Sequence, residues 1–246
     1  MLARQRGSEQ VFRILIDTCV WFDLAKDYQQ RAILAALKEL VRHQEIALIL
    51  PCTVVDEFSR NKARVIEESG RSLSDALKRA KDAVERLGDP RQKSKVLREL
   101  NNVDHRIPTL GGAAADAVGR VEDLFARTSV IEISDAVKLR AAQRAIEKRA
   151  PFHRQRNSID DAILIEVYAD EVAASPAGMR FAFVTHNTKD FSRPNASVKL
   201  PHPDIAAYFS RVKSLYFITL GEALRRVKPS EFADLVLLFV NTMTYN

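Results

Sequence analysis

Four acidic residues are spaced so that they could assemble one site: Asp17, Glu57, Asp161 and Asp190, with Asp160 adjoining the third. Asp17 closes the apolar run Phe12 to Ile16, and Glu57 lies a turn or two into an amphipathic stretch that follows a second run, Ile46 to Leu50. Asp160 and Asp161 open a helical pattern that begins near Asn157 or Ser158, and Asp190 follows the run Phe181 to Val184 by six residues. Carboxylates gathered in this way suit a hard divalent cation, because Mg²⁺ or Mn²⁺ prefers oxygen ligands and completes its shell with water and substrate phosphate. Such a cation lowers the pKa of a water and offsets the charge that builds on a phosphodiester in its transition state. The five histidines, at 43, 105, 153, 186 and 202, are scattered, and Cys19 and Cys52 have no zinc-ligand spacing, so neither residue type competes for the role. Taken singly, each acid also has an ordinary use: Asp17 and Asp190 as turn or cap residues, Glu57 as a solvated helix residue, Asp160 or Asp161 as a partner of a helix N-terminus.

A parallel sheet would bring the four together, because ligands of open α/β sheets bind outside the carboxyl ends of the strands. Phe12 to Ile16 and Ile46 to Leu50 have the length and apolar density of buried parallel strands, with Ile33, Leu34, Leu37, Leu40 and Val41 at helical spacing between them. Val54, Phe58, Asn61 and Val65 mark a helix expected to break near Gly70, and Ser72 to Leu87 marks another with a basic outer side. Gly88-Asp89-Pro90 predicts a turn, Pro108 to Gly112 a loop, and Ala113 to Phe125 a further helix. Val130 to Ile133, Phe181 to Val184 and Leu215 to Thr219 are the remaining strand candidates. Ser134 caps a helix to about Lys148, and Glu222 to Val227 and Glu231 to Val240 are closing helices. Strands alternating with helices predict an α/β fold of three layers, α/β/α, around a central parallel sheet, with an all-helical insertion over about 71–128. Residues 1–246 are expected to form a single domain.

The segments Ile14-Leu15-Ile16-Asp17-Thr18, Val54-Val55-Asp56-Glu57-Phe58, Asn157-Ser158-Ile159-Asp160-Asp161-Ala162-Ile163 and Phe183-Val184-Thr185-His186-Asn187-Thr188-Lys189-Asp190-Phe191, in that order, resemble the PIN domain family. That family consists of metal-dependent nucleases, mostly acting on single-stranded or structured RNA, and includes the toxins of many toxin-antitoxin pairs. The resemblance implies that Asp17, Glu57, Asp161 and Asp190 are its acidic quartet, with Asp160 as a second ligand beside Asp161. It further implies that Thr185 is the small hydroxyl residue supporting the site, while Asn187 could hold the loop or a metal-bound water. It covers roughly residues 11–70 and 130–220, and ordinary members are shorter than this chain. The activity implied is a Mg²⁺- or Mn²⁺-dependent endoribonuclease leaving 5′-phosphate and 3′-hydroxyl ends.

Composition agrees with a polyanionic substrate. The chain has 246 residues and a formal net charge of +6. Residues 60–98 hold twelve basic and six acidic side chains, so the whole excess lies in that one segment. Its basic helix could extend an RNA-binding surface or be a solvated or protein-binding face; Arg154 and Arg156, just before Asp160, are better placed to grip a scissile phosphate. No apolar run approaches the roughly 20 residues that cross a bilayer, and Arg13 interrupts the N-terminal run as no signal peptide would, which leaves the cytoplasm as the expected compartment. Eight Gly and nine Pro are too few for a fibrous chain, and no repeat recurs. An aspartyl-nucleophile phosphotransferase is a weak rival, because the position two after Asp17 is Cys19 rather than a second acid; the other rival is a non-catalytic module binding RNA or protein. A toxin would need an antitoxin or other regulatory partner, while RNA processing and phage defence are the alternative roles. The apolar stretch Phe232, Leu235, Val236, Leu238, Phe239 and Val240 could be core or a homodimer contact.

Overall fold

The computed structural model describes residues 11–104, 107–154, 159–230, 232–234 and 237. Strand β1 (Phe12–Ile16) buries Phe12, Ile14, Leu15 and Ile16 and stops at Asp17, whose extended backbone (φ −64°, ψ 147°) and carboxylate cap helix α1 (Thr18–Lys26) by accepting the Cys19 N–H at 3.4 Å. The apolar pattern alone does not announce α1, because its nine residues follow directly on the strand and merge with it; Val20, Trp21 and Leu24 nonetheless share its buried face. Trp21 is only 1% exposed and donates its indole N–H to the Ile16 carbonyl at 3.1 Å, locking the strand-to-helix junction. Helix α2 (Arg31–Arg42) then leads to β2 (Ile46–Pro51).

Helix α3 (Cys52–Leu87) is one unbroken helix of 36 residues, so the break expected near Gly70 does not occur. A lone helical glycine costs about 1 kcal/mol against alanine, which neighbouring packing easily offsets. Along its first half Val54, Phe58 and Val65 are buried, and Lys62 bridges to Glu122 of α5 (Ile107–Ala126) at 2.5 Å. Between them lies α4 (Lys93–Asp104). The expected loop Pro108 to Gly112 is instead the start of α5, where a proline's missing N–H would have no partner within the helix anyway. The middle of the chain is therefore helical as expected, but its proximal boundary at 71 falls inside α3.

The remaining elements are β3 (Val130–Ile131), α6 (Asp135–Ile146), α7 (Ile159–Ala174), β4 (Arg180–Val184), the single-turn α8 (Thr188–Phe191), β5 (Ser214–Phe217) and α9 (Leu220–Val227). Ser134 caps α6 by accepting the Val137 N–H at 3.3 Å. The five strands are all parallel in the order β3-β2-β1-β4-β5, with helices completing a three-layer α/β/α fold. The chain winds outward from β1 through β2 to β3, then crosses back to place β4 on the other side of β1. That reversal makes the carboxyl ends of β1 and β4 the topological switch point, where a parallel sheet leaves a crevice.

Helix α7 is fixed against α6 by a buried charge network. Glu166 accepts from Arg144 Nε at 2.5 Å and Arg140 Nε at 2.6 Å, and Arg144 also donates to the Tyr208 hydroxyl at 2.7 Å. Burial opposes the Glu166 charge, but the two guanidinium groups hold its carboxyl below the usual range. Toward the C-terminus Phe232 is buried, which favours the core alternative for that residue; Leu235, Val236, Leu238, Phe239 and Val240 lie outside the described residues. No described helix is long and apolar enough to cross a membrane.

Candidate active site

Each acid reaches the switch point from a different element. Asp17 leaves the end of β1 as the cap of α1, Glu57 stands in the second turn of α3, Asp160 and Asp161 occupy the first turn of α7, and Asp190 lies in α8, the single turn that follows β4. Asp190 thus sits in a short helix rather than an open loop. The Asp17 and Asp190 side chains are nearly buried, Glu57 and Asp161 are half-buried and Asp160 is exposed.

Two polar residues tie the cluster together. The Thr185 hydroxyl, wholly buried at the end of β4, donates to Asp17 Oδ2 at 2.6 Å and accepts the Asn187 backbone N–H at 2.9 Å. The Asn187 side-chain amide donates to Asp190 Oδ2 at 2.9 Å and to Asp161 Oδ2 at 3.4 Å. One continuous hydrogen-bonded path therefore runs from Asp17 through Thr185 and Asn187 to Asp161 and Asp190. Glu57 joins through the electrostatic field rather than this path.

The charges register in the proton affinities. Burial, with Asp17, Asp190, Glu57 and Asp160 around it, pushes the Asp161 carboxyl up to about 8. Burial also raises Asp17, against the pull of the Thr185 hydroxyl. Glu57 is raised by burial, eased by Thr18 beside it, raised further by Asp17 and Asp160 and eased again by Arg60. The Cys19 thiol is pushed well above its ordinary range by burial and by Asp17. These four acids form no ion pair with Lys, Arg or His among the described residues. Nor do three or more His, Cys, Asp or Glu side chains there already close into a metal-ligating shell. Like-charged carboxylates in a buried crevice, with an amide rather than a cation between them, form a donor set of the hard-oxygen kind that a divalent ion would neutralise.

Of the other expected site residues, Arg154 is exposed on the connection between α6 and α7 and makes no ion pair with the quartet. Arg156 and the cap candidates Asn157 and Ser158 lie outside the described residues. The structure adds a contact that sequence reasoning missed: His186, between Thr185 and Asn187, meets Asp23 of α1 through Nδ1 at 2.6 Å, pinning the loop after β4 to the helix that Asp17 caps. His186 was visible within the motif, but nothing in the spacing singles out Asp23.

A family model for the PIN domain matches residues 14–191, a span that contains all four acids and the helical middle. No curated protein and no solved structure gives a match.

Proposed function

The chain belongs to the PIN domain family, whose members are generally nucleases that use divalent metals and bind RNA, and on that premise we propose that it is a Mg²⁺- or Mn²⁺-dependent endoribonuclease. The observation that carries this reading is the path from Asp17 through Thr185 and Asn187 to Asp161 and Asp190 at the β1–β4 switch point. Asp17, Glu57, Asp161 and Asp190 are the residues that would hold the metal, with Asp160 as a second ligand beside Asp161. When bound, the metal supplies a water of lowered pKa and positive charge against the phosphodiester.

This chain's own contribution is positioning. Thr185 holds the Asp17 carboxylate in one orientation by its short hydrogen bond, and Asn187 keeps the Asp161 and Asp190 carboxylates facing the same space despite their repulsion. The His186–Asp23 contact restrains the loop that carries both supports. Arg154, exposed at the approach to α7, would meet a flanking phosphate, as Arg156 would. Hydrolysis adds water across the bond from phosphorus to the 3′-oxygen, leaving 5′-phosphate and 3′-hydroxyl ends.

The test is cleavage of end-labelled single-stranded RNA and DNA by the pure protein in Mn²⁺, Mg²⁺ or EDTA, beside Asp17→Asn. Cutting of RNA that needs the metal, vanishes in the variant and leaves 5′-phosphate ends is the expected result. Products ending in 2′,3′-cyclic phosphate would overturn the hydrolytic chemistry. Silence from a folded protein on every RNA, with no metal uptake by calorimetry, would leave a non-catalytic module.

A further inference from the structure

Most of the molecule's charge excess sits far from the acidic crevice. Residues 78–98, the distal end of α3, the turn after it and the start of α4, carry eight basic side chains against three acidic ones. Lys78, Arg79, Arg86, Arg91, Lys95 and Arg98 are all exposed there. Of the three acids, Asp89 accepts the Arg91 backbone N–H at 2.8 Å in the turn between the two helices.

The arm is held at a defined distance from the site, because the same helix that presents its basic residues also carries Glu57. At about 1.5 Å per residue, Lys78 stands roughly 30 Å along α3 from Glu57 and Arg86 roughly 40 Å. Arg60 and Arg64 follow Glu57 at intervals of three and four residues, which place them on its face of the helix, and both are exposed. Arg79 and Arg86 return to that face after about six and eight turns, with Lys78 at its edge. Glu68, Asp75 and Asp82 share the face as well, with Glu68 already paired to Arg64 at 3.2 Å. Residues 60–77 hold four basic side chains against three acidic ones, so the net positive charge is small along the helix nearest the crevice and large at the arm, an arrangement of two separate anchoring points.

We propose that the α3–α4 arm is a second anchoring site for the RNA backbone, so that the protein favours RNAs long enough to reach both the arm and the acidic crevice. The ligand's identity rests on the nuclease reading above; the charge and the distance do not. At about 3.4 Å per stacked nucleotide, roughly 30 Å is some nine nucleotides. A hexamer can then engage one site at a time, whereas a 30-mer can span both and gain from the linked second contact.

The experiment measures binding of fluorescein-labelled 6-nucleotide and 30-nucleotide single-stranded RNAs by anisotropy, in EDTA to suppress cleavage, across about 50 to 200 mM salt. The intact chain is compared with the variant Lys78→Gln, Arg79→Gln, Arg86→Gln, Lys95→Gln, Arg98→Gln, whose folding is checked by melting. The 30-mer should bind the intact chain tighter than the hexamer does, and the variant should lose that advantage. At about 0.7 in salt slope per phosphate contact, five lost contacts lower the slope by roughly 3.5, so the salt rise costs the variant about 100-fold less affinity than it costs the intact chain. Equal binding of the two lengths by the intact chain overturns the proposal. So does a folded variant that keeps the full slope, which would leave the arm as a face for an acidic protein. If the intact chain cuts nothing while the length effect is present and lost in the variant, the nuclease reading fails and the arm stands as an RNA-binding element.

Discussion

The two halves of α3 are built on opposite plans. In the half nearest the sheet, Phe58 is wholly buried, with ring centroids 5.6 Å from Phe22 and 5.4 Å from Phe125, and Val54 and Val65 are buried with it. In the far half Leu77 is buried, Val84 is half-buried, and Leu87 at the tip is 88% exposed. The near half holds one acid still, and the far half presents many cations to solvent. Close side-chain packing is concentrated in the half that carries Glu57 and is sparse in the half that presents cations to solvent, although one continuous helix runs through both.

Breaking the near half should have the largest effect. Phe58→Ala is expected to cost about 3–5 kcal/mol by leaving a cavity beside the Phe22 and Phe125 rings, whereas Val84→Ala should cost well under about 2 kcal/mol; urea denaturation of both variants measures the contrast. Next in size is Thr185→Val, which keeps the shape but removes the hydroxyl that orients Asp17. It should lower metal-dependent cleavage, or metal affinity by calorimetry, by about 10–100-fold while the fold survives.

The crevice should also betray its crowded charge in a pH titration of stability. Because Asp161 titrates near 8 in the folded chain against 3.8 as the ordinary value, the folded state holds a proton that the unfolded state releases between those values. Stability of the metal-free protein therefore falls as pH rises through this window and levels off above it. Melting in EDTA should be several degrees lower at pH 8.5 than at pH 5, at about 2–4 °C per kcal/mol for a chain of this size. Asp161→Asn should flatten the slope, and Mn²⁺ at pH 8.5 should restore the lost degrees, since a cation and a proton relieve the same repulsion. Smallest of all, Leu87→Gln at the exposed tip should leave stability within about 0.5 kcal/mol of the parent.

The same contrast explains what could be read from the chain beforehand. Strands buried on both faces write themselves as apolar runs, so β1, β2, β4 and the parallel sheet were legible, and the acids followed from their places beside those runs. Helix α1 was not, because a short helix continuing directly from a strand has no polar gap to mark it. The continuity of α3 through Gly70 and the helical start at Pro108 do not show in the local pattern, because one glycine costs a long helix only about 1 kcal/mol and a proline in the first turn gives up no helical hydrogen bond. Thr185 and Asn187 were legible only by resemblance. The His186–Asp23 contact could not be found at all, since it depends on how a loop and a helix far apart in sequence meet in space.

Trp21 gives this region a property of another kind. It is the chain's one tryptophan, it sits edge-on to Phe125 with centroids 5.0 Å apart, and its N–H is tied to the carbonyl that immediately precedes Asp17. Intrinsic emission excited at the red edge of the protein band therefore comes from one point at the head of the crevice, with no dye attached and no background from the arm. A shift in that light when cations are added would be an optical record of the strand-to-helix junction responding to its ligand.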